Sequence, residues 1–502
     1  MAGRGVRHGL VLCMVVGVSW IGPGPLPAQE PSFKGRALSE WVGDLRNASP
    51  QIREKAVEAF RSIGPQAVPS LAGVLKDSDP QARQAAIRSL GIIIPVQKDV
   101  VLLIVEALHG ADPVAREAAT AVWPGLKAKV GRDVILALSD DLKHEKVDVR
   151  RRAAEALAEV RSVEKEPMQA LAAALKDAQP VVRQKAADAL GLIGPEAAGA
   201  VPALAQALKD ADTGARLKAA RALGAIGAKA KDAVPALEQA LKDADAGVRG
   251  EAAGALGRIG EAAKAAVPAL VQTFKDPDAK VRGAAAFALG AIGPAAKGAG
   301  PALIQALKDP EASVRHQVAD ALGRLGQAGA DVVTALVQAI GDKDGGVRVS
   351  AVSALGRIGP AAHDSVPALA QALSDGDAGV RQEAARTLGR IGSANERALP
   401  PLVQALRDKD AATRESAAKA FGAVAASGSV PKAILQAIIQ LLSDADAEMK
   451  KSGARALGEI GAQAADAVPA LQELKNDADP DVRKAASLAL SRIDPGVGAQ
   501  EG

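Results

Sequence analysis

An all-α solenoid of about fourteen helical hairpins is the fold this sequence predicts, and three observations predict it. The line KDADAGVRGEAAGALGRIG at residues 242–260 returns nearly unchanged at 375–393 as DGDAGVRQEAARTLGRIGS. Between these points, and on both sides of them, the same line recurs with a period close to 33 residues. Aromatics are only 2% of the chain, Tyr is absent, and much of the 48% apolar fraction is Ala. Fixed periods of 20 to 50 residues mark solenoids, and Ala-rich packing positions imply thin helices closely stacked.

The Val-Arg of the repeated line is a ruler. Equivalent positions are Arg53, Arg83, Arg116, Arg150, Arg183, Arg216, Arg249, Arg282, Arg315, Arg348, Arg381 and Arg414, then Lys450 and Arg483. The spacing is 33 at most steps, and 30, 34 or 36 at the irregular ones. The chain reads as residues 1–28, a signal peptide; 29–36, a short linker; 37–493, the repeat array; and 494–502, a C-terminal tail. In the first segment Arg4 and Arg7 precede a mostly apolar stretch from Gly9 to Gly22, and PGPLPAQ offers a cleavage point after Ala28. That apolar stretch is short of the roughly 20 residues that span a bilayer, so it reads as a secretory signal. An uncleaved anchor is the alternative. Cys13 is the only Cys, and it lies inside this stretch after Leu12, which argues against a lipid-attachment site. The mature chain would carry no thiol, hence no disulfide and no thiolate chemistry. Without Arg4 and Arg7 the balance is 60 basic against 58 acidic residues, too even for a nucleic-acid surface. No later apolar run is long enough for a membrane span.

Within one repeat, residues 201–227 (VPALAQALKDADTGARLKAARALGAIG) hold two helix patterns. Pro202 suits the first turn of a first helix, where its missing N–H costs nothing. Leu204 and Leu208 lie four apart and share a face. Residues 209–211 make a turn, and Asp212 caps a second helix by accepting its free amides. Ten of the fourteen copies have Asp in this slot. Pro50, Pro80, Pro113, Pro180 and Pro480 follow the cap in five copies, as a first helical position prefers. Ala219, Leu223 and Ile226 continue the buried stripe. Gly227 sits where a left-handed C-terminal cap is expected. Gly224 lies inside the second helix at a cost of roughly 1 kcal/mol relative to Ala. Gly recurs there at 191, 257, 290, 323, 356, 389 and 458, which points to a neighbouring helix too close for a Cβ. The aromatics test the register. Trp41, Phe60, Trp123, Phe274 and Phe421 all fall in Leu slots expected to be core; Phe33 and Phe287 do not.

This line resembles the HEAT repeat, specifically the short bacterial form known as the phycobilisome-lyase HEAT-like repeat. The resemblance covers about residues 37–493 and rests on the Asp cap, the Val-Arg four residues on, and ALGxIG. Ankyrin shares the period but not its T-P-L-H line. The resemblance implies a right-handed α-α superhelix of the HEAT/armadillo kind, with the second helices lining its inner side. It also implies that the Arg row and the acidic cap row are structural ladders, with guanidinium groups serving neighbouring carbonyls and carboxylates. The copies at 91–166, with Pro124 in the helical Gly slot, and the longer loop at 425–431 depart from the pattern and predict local kinks.

Chemistry is scarce. Beyond His8 there are His109, His144, His316 and His363, in different repeats and without metal-ligand spacing. His144-Glu145 is the only His-Glu pair, whereas deoxyhypusine hydroxylase, a HEAT-like enzyme, builds a di-iron site from several. The phycobilisome lyases share the repeat too, but an exported chain would not meet their cytosolic substrates. The DxD turns at Asp243/Asp245, Asp375/Asp377 and Asp477/Asp479 lack the Gly-six and Glu-twelve of a calcium loop and read as helix caps. Pieces such as GAIGPAAKGAG lack the order of a phosphate loop. Ser162-Val163-Glu164-Lys165 matches S-x-x-K without a partner motif. No catalytic residue, metal site or cofactor is assigned. The function expected is a non-catalytic, extracytoplasmic scaffold that binds protein or peptide. The alternatives are a structural envelope element without a specific ligand, or a lyase-like or hydroxylase-like enzyme. The candidate binding residues are Phe287, in a solvent-facing slot of its second helix, and Arg258, Arg324, Arg357 and Arg390, one turn further along the same face in neighbouring copies. Aromatic-plus-Arg surfaces are enriched at interfaces.

Overall fold

The computed structural model describes residues 30–392 and 396–494. The expected signal peptide and all but the first residue of the tail lie outside the described residues. Among those described there are 28 α-helices, packed in sequence as hairpins within each of two units, and the one sheet is a two-stranded ribbon at the N-terminal end. The chain divides into two compact units, at Val134/Ile135.

The repeat at 194–227 shows how residues make the unit. A 3₁₀ segment, Gly194–Ala200, leads into the first helix Val201–Ala207, and Asp212 caps the second, Thr213–Ile226. Asp212 accepts the Ala215 amide at 2.9 Å, as an N-cap does. Leu204, Leu208, Ala219, Leu223 and Ile226 are all buried; each buried Leu or Ile removes apolar surface worth about 1.5–3 kcal/mol. Gly227 departs from the expected left-handed cap. Its φ is 66° but its ψ is −137°, a conformation that only glycine adopts readily. That geometry turns the chain directly into the next 3₁₀ segment, Gly227–Ala233. The left-handed cap does occur at Gly326 (φ 64°, ψ 20°), where the chain runs to Ala330–Ala339 without a 3₁₀ segment.

In the first unit the second helices Pro50–Ile63, Pro80–Ile92 and Pro113–Lys127 pack each on the next. In the second unit the same holds from Val147–Val160 to Pro480–Ile493, while successive first helices touch far less. The helical glycines explain the close approach. A Cβ at Gly257, Gly290, Gly323 or Gly389 would lie 2.7–2.9 Å from the Cα of Ala288, Ala321, Ala354 or Ala420 in the next repeat.

Four of the five aromatics placed in the core are buried: Trp41, Phe60, Trp123 and Phe421. Phe274 is half-buried, at a point where the first helix gives way to a 3₁₀ turn, Thr273–Lys275. The segment read as a linker, 29–36, carries the ribbon Ser32–Phe33 with Arg36–Ala37, whose last residue is the first of the array. It covers the array's first helix: Phe33 packs on Trp41 at 6.3 Å, and Glu30 accepts the Ser39 amide at 2.6 Å. Pro124 lies within its helix, which continues to Lys127. The extra residues near 425 lengthen the second helix, Ala411–Ser427, and not only the loop. Gln463 pins the exit by donating to the Ala425 and Gly428 carbonyls and accepting the Val430 amide. No helix among the described residues is long and apolar enough to cross a membrane.

Candidate functional site: the second-helix face and its arginines

Two sets of arginines must be told apart. The first is the Val-Arg row. Arg249 donates to Asp276 through Nε (2.6 Å) and Nη2 (2.9 Å), and through Nη1 to the carbonyls of Asp243 and Ala244. The same arrangement recurs at Arg183, Arg216, Arg282, Arg315, Arg348 and Arg381. Its carboxylate partner is not the cap Asp. It is the turn Asp two residues earlier, 27 positions after the Arg, which also accepts the amide of the cap residue. The DxD turns therefore divide two tasks: the first Asp holds the preceding repeat's Arg and the second caps its own helix. Burial pushes the Asp276 carboxyl up, but the Arg249 guanidinium and the Asp278 amide outweigh it and hold it below its usual range. With both members largely buried and bidentate, this row is a fastening between repeats.

The second set lies on the solvent-facing stripe of the second helices. Phe287 is 38% exposed. Its ring lies against Gly257 of the preceding repeat, where an added Cβ would sit 3.0 Å from it. Arg258, the next residue, crosses Gly224 of the repeat before, 2.7 Å from where a Cβ would stand. Gly224 thus makes room for an arginine guanidinium as well as for a backbone. None of the four candidate arginines is isolated. Arg258 reaches Glu251 at 3.5 Å, Arg324 and Arg357 both bind Asp320, and Arg390 stands 4.0 Å from Glu383. The five candidates share one face of the second-helix layer, and among the described residues no arginine stacks on Phe287. Around Phe287 the face is low: Gly254 and Gly283 stand in equivalent or adjacent slots. Leu488, in the Phe287 slot of the last repeat, is 50% exposed. Counting five residues on from Arg483 finds it in the sequence, but an aliphatic residue among polar equivalents is a weaker signal than an aromatic.

The histidines serve local bonds. His144 Nδ1 accepts the Lys146 amide at 3.0 Å, and His316 Nδ1 pairs with Ser350 Oγ at 2.7 Å. Among the described residues no group of three His, Cys, Asp or Glu is arranged to hold a metal ion.

A profile of HEAT repeats matches residues 39–122, 135–201, 201–290, 267–348, 333–422 and 435–500. No curated protein sequence matches the chain. Among solved structures, Kap95p in a study of its binding to RanGDP is 16% identical with a TM-score of 0.56 over 92% of this chain and 68% of its own. Yeast importin-β (Kap95p) gives 16%, 0.54, 92% and 68%, and the Kap95–Nup1 complex gives 16%, 0.54, 91% and 67%. At this identity the likeness is one of fold, and the chain spans about two thirds of their length.

Proposed function

Because this chain belongs to the HEAT-repeat family, we propose that it is a non-catalytic scaffold that binds a protein or peptide outside the cytoplasm. The observation that carries the reading is Phe287, an aromatic 38% exposed on a face where most other repeats present charges. Repeat arrays offer extended surfaces of this kind, and the structurally similar Kap95p is itself found with RanGDP and Nup1. An apolar or acidic partner segment would cover the Phe287 ring and take over Asp320's place on Arg324 and Arg357. The second half of the proposal rests on Arg4, Arg7, the apolar stretch after them and PLPAQ. N-terminal sequencing of the native protein from its host tests it: a chain beginning near Gln29 supports export, and one retaining Met1 overturns it.

The docking face is tested by a Phe287→Ala, Arg324→Glu double variant. Both sites are exposed, so the variant keeps the wild-type melting curve while losing the protein captured by the wild type from the exported fraction. A folded variant that captures the same protein overturns the assignment of this face.

A further inference from the structure

The opposite edge of each hairpin carries a pattern that the fold does not use. Gln occupies the position four before the turn Asp in eight successive repeats, one every 33 residues from Gln206 to Gln404 and then Gln440. All eight are exposed, and no hydrogen bond involves any of their side-chain amides. Helix propensity does not ask for Gln there, since Lys, Glu, Arg and Ala serve equally well. Drift between repeats is free at other exposed slots: the slot of Phe287 holds Asp188, Arg221, Gly254, Asp320 and Ser353 elsewhere. Three residues after the Gln, on the same helical face, stand Lys209, Lys242, Lys275 and Lys308, preceded by Lys176 one repeat earlier. These five lysines are exposed and form no ion pair or side-chain hydrogen bond. The carboxylates beside them are already engaged. Asp210, Asp243, Asp276 and Asp309 are 8–11% exposed on their side chains, each gripped by the arginine of the preceding repeat. Pro202, Pro235, Pro268 and Pro301 complete the stripe four residues before each Gln.

Between repeats this edge is grooved. One groove, of about 700 Å³, is bounded by Lys242 from one repeat and by Pro268, Gln272 and Lys275 from the next. Glu238 also lines it, one helical turn before Lys242. An equivalent groove of about 410 Å³ lies between Lys176 and the pair Gln206 and Lys209. Four successive repeats, from Pro202 to Lys308, therefore offer a neutral amide that can donate and accept, an apolar proline and an unengaged ammonium, in the same order, and Lys176 extends the ammonium row by one repeat.

We propose that this first-helix edge, from Lys176 to Lys308, is a second docking surface and that it takes an acidic peptide in the polyproline II conformation. The match is one of period. Packed helices lie about 8–10 Å apart, and a polyproline II chain turns once in three residues, about 9 Å. Each turn meets the next repeat in the same orientation. Its main-chain carbonyls have no internal partners and face the glutamine amides. A carboxylate at every third residue meets the lysines, and the residues between rest on the proline row. An α-helical ligand lacks this three-residue period, and a nucleic-acid strand, with phosphates every 3.4 Å, would press excess charge on the largely buried aspartates.

The probe is a fluorescein-labelled peptide of about six Pro-Pro-Glu triplets, titrated by anisotropy against the full chain. The comparison peptides are Pro-Pro-Gln triplets and a shuffled peptide of the same composition. The triplet acid should bind, and both controls should bind about tenfold more weakly or worse. Gln272→Ala with Gln305→Ala should weaken binding about tenfold at every salt concentration, since it removes neutral contacts. Lys242→Glu with Lys275→Glu should abolish it. Phe287→Ala should leave it unchanged, which separates this surface from the second-helix face whatever becomes of that proposal. All five sites are exposed, and unaltered melting curves exclude misfolding. Equal binding of the shuffled peptide, insensitivity to the glutamine pair, or binding of polyuronate or single-stranded DNA in preference to the triplet acid would each overturn the assignment.

Discussion

At the scale of the residue, the contrast between Arg249 and Arg116 separates fastening from occupancy of a slot. Arg249 ties Asp276 and two carbonyls, whereas Arg116 donates only to the Ala111 carbonyl at 3.2 Å. Arg249→Ala leaves a largely buried carboxylate with one remaining donor and should cost about 1–3 kcal/mol. Arg116→Ala should cost about 0.5 kcal/mol or less, as exposed groups do. Urea denaturation of both variants checks the difference, and an unchanged midpoint for Arg249→Ala together with lost partner capture would move this row from structure to ligand binding. The cap residue is a separate quantity. Asp245 accepts the Val248 amide at 3.0 Å, and Asp245→Ala should destabilise by about 0.5–2 kcal/mol.

At the scale of the element, glycine has two opposite meanings inside the second helices. Gly323 faces the next repeat, where a Cβ would stand 2.7 Å from the Cα of Ala354, a backbone atom that cannot rotate away. Gly323→Ala should cost about 1–3 kcal/mol through overpacking. Gly283 lies within Ala279–Ile292 with nothing within 4 Å of an added Cβ, so Gly283→Ala should raise stability by about 1 kcal/mol through helix propensity. Thermal melts that move both variants in the same direction would refute this reading. The repetition of Gly at 191, 224 and 257 made the close packing legible, because a costly residue kept in register needs a geometric cause. The 3₁₀ segments were not legible: GAKAKDA at 227–233 has no apolar stripe, its Gly227 reads as a left-handed cap, and the ψ of −137° that sends the chain into a 3₁₀ turn leaves no mark in the sequence. The identity of the Arg partner was missed for a related reason. Two aspartates stand two residues apart in each turn, and only the offset between stacked repeats decides which one the guanidinium reaches. Phe287 was placed on the solvent side because its slot is polar in most other repeats. The acids that engage its arginine neighbours come from the same face, Asp320 and Glu383 among them, and no local pattern announces which pairs form.

At the scale of the whole molecule, stability in a repeat array is close to a sum of repeat and neighbour terms, so a device repeated in register acts in concert. Between Arg150 and Asp408 eight successive arginines each hold the turn aspartate of the next repeat, at 2.6–2.8 Å. The next, Arg414, turns to Glu448 at 2.5 Å, and Lys450 resumes the row on Asp477. At Asp177, Asp210, Asp243, Asp276, Asp309 and Asp375 burial raises the carboxyl, but the paired guanidinium and a turn amide overcome it. At Asp342 the Arg315 bond is itself the largest influence. All seven are held below the ordinary Asp value of 3.8 in the folded chain. A carboxyl whose folded value lies below its unfolded one binds protons more readily when unfolded. Its contribution is complete above the unfolded value and is lost as pH falls through the folded one. The urea midpoint should therefore stay level from about pH 7 to pH 5 as far as these groups are concerned, and drop steeply below about pH 4. Replacing Asp243 and Asp276 together by Asn keeps acceptors for the amides and removes two of the titrating groups. That variant should be less stable than the wild type at neutral pH and should lose less on acidification, so the two curves approach each other as the pH falls below the ordinary Asp value of 3.8. Parallel curves would show that acid acts elsewhere in the chain and that the Asp–Arg row does not set its acid sensitivity.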